Sequence, residues 1–318
     1  MPVCAYAQDF TSGLQVTGTY QPQKSSTTIP SGETASAKAI PATILSAPVV
    51  PDPASKAAMQ FIHNGPQRVA PFPVVLNQAV QRYVDAMVAH PGGLILSFER
   101  SRPYLPQMVH ELEQQGIPPD LVYLAFAESD FSRKGAGPWQ LTKATARRFG
   151  LVINRFVDER RDPIMATRAA AEYLATLHDE TNDWHIALVG WNKGEASLDD
   201  FWSLRGANYT LLLEHLPHNT RSLLNRFMAV DVIAHHAREY GLQAVTFTRT
   251  TPPPFHQIRV SGGTSLKVVA KRHFTSVPLL RQLNPALLHN QVPPHVESFQ
   301  IRVPNREEAS LGGAGDNF

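Results

Sequence analysis

One acidic residue, Glu128, occupies a position suited to general acid chemistry. It ends an apolar run and continues that run's helical spacing at i, i+3, i+4 and i+7, formed by Leu121, Leu124, Ala125 and Glu128. The carboxyl group therefore faces the core, near the negative end of its helix. Burial and that end of the helix dipole both disfavour the charged form. We expect a raised pKa and a carboxyl group that can donate a proton near neutral pH.

The helix that carries Glu128 is expected to begin at Pro118 and Pro119, because a proline in the first turn loses no hydrogen bond. Other apolar spacings predict helices before and after it. Their expected bounds are Val75–Met87, Leu94–Arg100, Pro103–Gln115, Thr142–Gly150 with Thr142 as N-cap, Ile164–Thr181, Trp184–Trp191 and Leu216–Tyr240. Helices joined by short connections predict a mainly α domain over residues 70–245.

The flanking segments differ in composition. Residues 1–69 are rich in Ser, Thr, Pro and Ala, which predicts a disordered tether. Ala5-Tyr6-Ala7 is similar to the end of a secretory signal peptide, so residues 1–7 are interpreted as a signal remnant and the protein as periplasmic or cell-envelope. A Pro-rich linker spans 246–255. A β-α-α-β pattern covers 256–305, and 306–318 is expected to be a disordered tail.

Composition excludes several classes of protein. The chain of 318 residues has one cysteine, Cys4, so it forms no disulfide within the chain and no cysteine-based metal site. Its 13 histidines show no metal-ligand spacing, and we expect no metal and no cofactor. The basic C-terminal segment has no aromatic ladder or base-reading motif, which argues against nucleic acid.

Seven blocks in this chain resemble the lytic transglycosylases of the Slt family, most closely the membrane-bound lytic murein transglycosylase D group. The blocks are 98–106, 112–131, 135–151, 157–163, 167–174, 191–195 and 216–221. The resemblance implies a lysozyme-like fold. It also implies cleavage of the peptidoglycan glycan between N-acetylmuramic acid and N-acetylglucosamine.

The resemblance assigns roles to individual residues. Glu128 matches the family's single catalytic glutamate, which protonates the glycosidic oxygen and then accepts the proton of the muramyl 6-hydroxyl, closing a 1,6-anhydro ring. Five residues are expected to contact substrate: Ser129, Gln140, Trp139, Trp191 and Asn192. For Trp139 two interpretations stay open, one beneath a sugar ring and one in the core.

Departures from the family pattern surround the same site. The segment between Glu128 and the Gly-rich turn is shorter than in typical members. Trp191 stands where the family has a tyrosine, and its indole N–H donates but cannot accept. Asn219 and Leu223 replace a glutamate and a tyrosine.

The C-terminal segment is similar to a LysM domain, a small peptidoglycan-binding module. Val260 to Leu266 corresponds to its first motif, with Thr264 in place of an aspartate, and Ile301 to Pro304 to its last strand. The expected partners are therefore peptidoglycan glycan strands. We also expect a monomer that associates with the outer membrane.

Two other functions remain open at this stage. One is a binding or scaffolding protein that holds the glycan without cutting it. The other is a hydrolytic muramidase of the goose type, which needs a second carboxylate near the cleft. Glu172, Asp158 and Glu195 lie within the matching blocks, but the sequence places none of them opposite Glu128.

Overall fold

Helices make up most of the chain that the computed structural model describes, which comprises residues 69–132, 134–242 and 255–305. The α-helices before residue 242 are α1 (Gln78–Ala89), α2 (Gly92–Ser101), α3 (Leu105–Gln114), α4 (Leu124–Ser129), α5 (Lys143–Arg148), α6 (Pro163–Thr181), α7 (Trp184–Lys193), α8 (Tyr209–His215) and α9 (His218–His235). Short 3₁₀ helices lie at Pro119–Tyr123, Glu159–Arg161, Glu195–Ser197 and Asp199–Leu204. The prediction of a mainly α domain is confirmed.

Side-chain caps fix where many of these helices begin. Thr142, the predicted N-cap, accepts a hydrogen bond from Thr145 N and starts α5. Asp162 accepts from Ile164 N and Met165 N at the start of α6. Each such cap satisfies backbone donors that the helix leaves open and contributes about 1 kcal/mol.

The segment that leads to Glu128 differs from its prediction. It is not one α-helix from Pro118 but a 3₁₀ helix, Pro119–Tyr123, followed by α4. The tighter turn begins where Leu121 N donates to Pro118 O at 3.0 Å. Every residue of Pro119–Tyr123 is buried, so packing on all sides sets the local geometry, and the one-sided apolar pattern does not.

The end of the helical region also differs. The predicted helix to Tyr240 stops at His235, because residues 236–241 form a separate turn that ends at Gly241, with a φ of 71°. Helix α8 was not predicted from the sequence; its N-cap residue, Asn208, accepts a hydrogen bond from Leu211 N. No described helix is long and apolar enough to cross a membrane.

A single buried cluster forms the core of the helical region and surrounds the Glu128 segment. The bulkiest of its fully buried side chains are Trp139, Tyr123, Phe126, Phe131 and Phe227. These aromatic rings contact one another at angles typical of proteins; Phe126 and Phe131, for example, have ring centroids 5.3 Å apart. The α4 segment therefore has little freedom to move.

The C-terminal segment has the predicted β-α-α-β order. Its elements are β1 (Phe255–Ser261), α10 (Leu266–Arg272), α11 (Val277–Leu283) and β2 (Ser298–Pro304). The two strands pair antiparallel, with Ile258 opposite Ile301. A second buried cluster, which includes Leu266, Leu280 and Val303, forms the core of this module.

A connector at residues 153–162 joins the helical region to the C-terminal module. Val157 belongs to the module's core and forms an antiparallel bridge with Leu287. Asp158 N donates to Ala286 O, and Leu288 N donates to Phe156 O, each at 2.9 Å. Strand-like pairing of this kind makes the connector part of both regions.

An ion pair strengthens the same junction. Arg302 Nη1, on β2, lies 2.6 Å from Asp162 Oδ2 at the N-cap of α6. The carboxylate of Asp162 is buried, so the pair is shielded from water.

The predicted domain bounds of 70–245 and 256–305 stay predictions. Outside the described residues lie positions 1–68 of the predicted tether at 1–69, positions 246–254 of the predicted linker at 246–255, and the whole predicted tail at 306–318.

A tight turn at residues 135–137 lies against this connector. Gly137 has a φ of 78°, and a Cβ atom there would lie 1.7 Å from Arg160 O. Arg160 is itself fixed, because its buried guanidinium pairs with Asp158 at 2.7 Å and donates to Leu141 O at 2.9 Å. The turn and the connector are therefore held at a fixed separation.

We expect Gly137→Ala to destabilise the fold more than a left-handed backbone alone explains. Gly150→Ala is the matched control, since Gly150 has a φ of 83° and open space around its Cβ position. The control should lose about 1–2 kcal/mol from backbone strain. Gly137→Ala adds the overlap with Arg160 O and should unfold at a lower temperature in calorimetry. Equal melting temperatures would show that the close approach is unimportant.

We expect Arg302→Met to cost about 3 kcal/mol of stability, because it leaves the buried Asp162 carboxylate without its charged partner. Arg259→Met on the exposed side of β1 is the control and should change stability by less than about 0.5 kcal/mol. Urea unfolding of both variants measures the difference. If the two midpoints coincide, the ion pair does not hold the junction together.

Candidate active site

Glu128 lies at the last turn of α4 with its side chain partly buried. Trp191, near the end of α7, donates a hydrogen bond from Nε1 to Glu128 Oε1 at 2.8 Å. The two residues are far apart in sequence, and the packing of α7 against the core brings them together. The prediction that Glu128 does not extend into open solvent is confirmed.

The environment of Glu128 changes its acidity. Burial raises the pKa of Glu128 from its ordinary value of 4.5 to about 7. The hydrogen bond from Trp191 and the positive charge of Arg226 act in the opposite direction, because both stabilise the ionised form. Near neutral pH the carboxyl group is thus divided between its protonated and ionised forms, so it can both donate and accept a proton.

The indole of Trp191 also determines which oxygen carries the proton. An indole N–H donates and has no lone pair to accept, so Oε1 must act as an acceptor in this contact. Because a carbonyl oxygen is a better acceptor than the oxygen of a carboxylic O–H, this contact favours Oε2 as the site of the proton when Glu128 is protonated. A tyrosine hydroxyl at this position, as in the family pattern, has no such restriction because it both donates and accepts.

Aromatic neighbours hold the indole of Trp191 in place. Its ring centroid lies 5.4 Å from that of Tyr173 and 5.8 Å from that of Trp139. Tyr173 is fixed in turn by a hydrogen bond from its hydroxyl to Gly190 O at 3.4 Å. Trp191 is 9% exposed, so a small part of its surface reaches solvent.

Trp139 occupies the core, in agreement with the second of the two interpretations that the sequence left open. It is 1% exposed, and its Nε1 donates to Thr167 Oγ1 at 2.9 Å. The expected contact beneath a sugar ring is therefore wrong for this structure, since no face of the indole is accessible. Trp139 acts instead as the support on which Trp191 rests.

Ser129 ties the Glu128 helix to the turn that follows. Its Oγ lies 2.8 Å from Pro138 O and 3.2 Å from Ala125 O, and it accepts a hydrogen bond from Ser132 N at 3.0 Å. The hydroxyl donates to one carbonyl at a time. Its contacts fix the backbone next to Glu128, while its predicted contact with substrate stays a prediction.

The side chains of Gln140 and Asn192 are partly exposed, and each forms a hydrogen bond within the protein. Gln140 Nε2 donates to Gly137 O at 2.6 Å, and the residue has a φ of 50°. Asn192 Oδ1 accepts from Thr220 Oγ1 at 2.7 Å, which joins the end of α7 to the first turn of α9. Their predicted contacts with sugar stay predictions.

The short segment after Glu128 has an unusual backbone. Asp130 and Phe131 are consecutive and have φ values of 52° and 56°, in the left-handed region that residues with a side chain rarely adopt. Phe131 is fully buried against Phe126. Two arginines hold Asp130: Arg100 Nη2 donates to its backbone oxygen, and Arg226 Nη2 to its carboxylate, each at 2.5 Å.

Neither arginine was predicted from the sequence. Arg226 carried a recognisable signal, because it interrupts the buried stretch of α9 between Asn225 and Phe227. A charged residue within such a stretch indicates a specific partner. Arg100 carried no comparable signal, because its partner is a backbone oxygen.

Two of the three candidate second carboxylates form ion pairs with arginines. Asp158 forms the buried pair with Arg160, and Glu195 forms a bidentate pair with Arg148 at 2.7 Å. Glu172 lies on the exposed side of α6. In the described part of the chain, Arg226 is the charged side chain that shifts the pKa of Glu128, and none of these three acids does so.

One group of side chains has the types that can bind a metal ion. The ligand atoms of Asp120, Asp231 and His235 lie within 4.8 Å of one another. His235 Nδ1 is 3.2 Å from Asp231 Oδ1, and Nε2 is 3.4 Å from Asp120 Oδ1. Burial lowers the pKa of His235, but the two carboxylates outweigh it and hold that pKa well above 6.5. A protonated imidazole between two carboxylates accounts for the group and joins the Glu128 segment to α9.

Comparison with known proteins identifies relatives of this region. Residues 109–208 match the family described as transglycosylase SLT domain. Membrane-bound lytic murein transglycosylase D of Escherichia coli strain K12 is 25% identical over 205 residues, which cover 58% of this chain and 43% of that protein. The protein of the same name from E. coli O6:H1 gives the same values.

A third relative is the putative tributyltin chloride resistance protein of Alteromonas sp. strain M-1. It is 37% identical over 103 residues, which cover 30% of this chain and 50% of that protein. The chain thus spans about half the length or less of the curated relatives it matches. Glu128 and the five predicted substrate-contact residues all lie within 109–208, whereas Arg226 lies beyond it.

The raised pKa predicts how stability depends on pH. Glu128 ionises near 4.5 when unfolded and near 7 when folded, so its contribution is fully present below pH 4.5 and is lost as pH rises through 7. We expect Glu128→Gln, which can still accept from Trp191, to stabilise the fold by about 1–3 kcal/mol at pH 8. At pH 4 it should change little.

Thermal unfolding at both pH values measures this difference. Glu172→Gln, an exposed change on α6, is the control. Its melting temperature should match that of the wild-type protein at pH 4 and again at pH 8. If Glu128→Gln has the same effect at pH 4 and pH 8, the carboxyl group has no raised pKa.

Proposed function

We propose, from the match of residues 109–208 to the transglycosylase SLT domain, that this chain cleaves peptidoglycan glycan strands by lytic transglycosylation. The bond cut is the β-1,4 bond between N-acetylmuramic acid and N-acetylglucosamine. The observation that carries the proposal is the state of Glu128, a partly buried carboxyl group with a pKa of about 7. The name of the E. coli relative, a lytic murein transglycosylase, agrees with this substrate.

In the first step Glu128 acts as the acid. Its Oε2 donates a proton to the glycosidic oxygen while the bond to the muramyl C1 breaks, and the N-acetylglucosamine end leaves as an alcohol. The acetamido group of the muramyl residue stabilises the positive charge that develops at C1, so the enzyme needs no second carboxylate. Trp191 remains hydrogen-bonded to Oε1 and stabilises the carboxylate that results.

In the second step Glu128 acts as the base. Its carboxylate accepts the proton of the muramyl 6-hydroxyl, and that oxygen bonds to C1 to close the 1,6-anhydro ring. The proton lost in the first step is thereby restored, and no water is consumed. A pKa of about 7 serves both steps, because neither form of the carboxyl group is strongly favoured near neutral pH.

The surroundings supply the other parts of the proposal. Ser129, Gln140, Asn192 and the exposed edge of Trp191 contact the sugar rings beside Glu128. The C-terminal module acts as a LysM-like glycan-binding unit, attached through the connector. We infer a monomeric protein of the periplasm or cell envelope that associates with the outer membrane.

A hydrolytic reaction of the goose type fits less well. It needs a second carboxylate to activate water. Asp158 and Glu195 are held in ion pairs with arginines, which supports a mechanism that uses Glu128 alone.

A binding protein that does not cut is the second candidate. The observation that favours it lies in the first half of α9. Asn219 and Leu223 occupy positions where the family pattern has a glutamate and a tyrosine. Leu223 packs partly buried against the core and offers no polar group to a substrate. This candidate predicts that murein binds and stays intact.

Digestion of purified murein distinguishes these functions. We expect the wild-type protein to release muropeptides that end in 1,6-anhydro-muramic acid, identified by mass spectrometry. Glu128→Gln should lower the rate by at least about a hundredfold, because removal of a general acid usually costs that much or more. Binding to murein in a pull-down should be retained.

Glu172→Gln serves as the control and should digest murein at the wild-type rate. Reducing-end muramic acid among the products would identify a hydrolase instead. Murein that is bound but never cut would identify the binding protein, and full activity in Glu128→Gln would refute the role of Glu128.

A further inference from the structure

We propose that Arg226 is a positioning residue for Glu128, acting on the backbone on both sides of it and on the charge of its carboxyl group. The proposal rests on the proposed function insofar as it concerns catalysis. Arg226 lies on α9, beyond the residues that match the transglycosylase SLT family, so the family match itself assigns it no role.

The guanidinium group of Arg226 bridges the Glu128 segment. Nη1 donates to Ala127 O at 2.8 Å, and Nη2 donates to Asp130 Oδ1 at 2.5 Å. Ala127 precedes Glu128 and Asp130 follows it by two positions. One planar group with donors in a fixed arrangement therefore sets the distance between the two sides of the catalytic residue.

The bond to Ala127 O satisfies a backbone group that α4 leaves open. The last four carbonyl groups of a helix have no partner within it, and Ala127 lies among the last residues of α4. A positive charge at this end also offsets the negative end of the helix dipole. Glu128 itself lies at this end, where its ionised form would otherwise be disfavoured.

The hydrogen bond to Asp130 stabilises a left-handed backbone conformation that residues with side chains rarely adopt. Asp130 and Phe131 both have positive φ values, and each such residue costs about 1 kcal/mol or more. Arg226 holds the Asp130 side chain while Arg100 holds its backbone oxygen. The chain can therefore pass from Glu128 to the Gly-rich turn through a shorter segment than the family pattern has.

Arg226 also acts on Glu128 through its charge. Among the elements around Glu128, α7 presents the uncharged Trp191, α2 presents Arg100 to Asp130, and α9 presents Arg226. Asp130 pairs with Arg226 at 2.5 Å. The positive charge favours the ionised form of Glu128, which is the form present between the two steps of the proposed reaction. Burial favours the protonated form, and Arg226 limits that effect.

Carbon-13 NMR of the glutamate side chains measures this effect without any substrate. We expect Arg226→Met in the full chain to raise the pKa of Glu128 above the wild-type value. Arg226→Lys keeps the charge and should return that pKa towards the wild-type value. Arg82→Met, an exposed change on α1, is the control and should leave the pKa unchanged.

Murein digestion gives the second readout. Arg226→Met should lower kcat about tenfold or more and shift the alkaline limb of the pH profile upward, because a small displacement of a catalytic group is costly. Arg226→Lys should return the alkaline limb of the pH profile to its wild-type position. It should restore only part of kcat, because one ammonium group cannot span both Ala127 O and Asp130 Oδ1.

The two proposals fail in distinguishable ways. If the wild-type protein does not digest murein, the proposed function is wrong, but the NMR titration still tests Arg226. If Arg226→Met folds, by its far-ultraviolet circular dichroism, and leaves the pKa of Glu128 unchanged, the electrostatic role is refuted. Unchanged kcat in both Arg226 variants of an active enzyme refutes the positioning role.

Discussion

The hydrogen bond from Trp191 Nε1 to Glu128 Oε1 constrains the whole candidate site. It couples a donor that cannot accept to a carboxyl group whose pKa burial has raised to about 7. The rest of the structure keeps these two groups together. Trp139 and Tyr173 fix the indole, Ser129 fixes the helix end, and the arginines on α2 and α9 fix the chain after it. The result is a carboxyl group whose Oε1 accepts a fixed hydrogen bond from Trp191 and whose pKa is raised by burial.

The C-terminal module is part of this arrangement rather than a separate attachment. Its core includes Val157 from the connector, and its Arg302 pairs with the cap of α6. The same connector contains Arg160, whose backbone oxygen lies against Gly137 in the turn before Gln140. A continuous set of contacts therefore runs from the module to the residues around Glu128.

The sequence was sufficient for much of this structure because local rules govern it. Helix spacing, the Thr142 cap and the β-α-α-β order depend on neighbours in the chain, and all three were predicted. The positions of Trp139 and Arg226 depend on packing between distant segments, which no local pattern contains. Trp139 has the same sequence signature in a core as beneath a sugar. The 3₁₀ geometry before α4 arises for the same reason, since burial on every side overrides the one-sided pattern.

The proposed reaction depends on a single carboxyl group with a raised pKa, that of Glu128. The pH dependence of kcat/KM on murein glycan tests it most directly, because this quantity reports the ionisation of the free enzyme. We expect kcat/KM to fall above a midpoint near pH 7, as Glu128 loses the proton it must donate. A profile that stays flat through pH 7, or that falls near the ordinary glutamate value of 4.5, would contradict it.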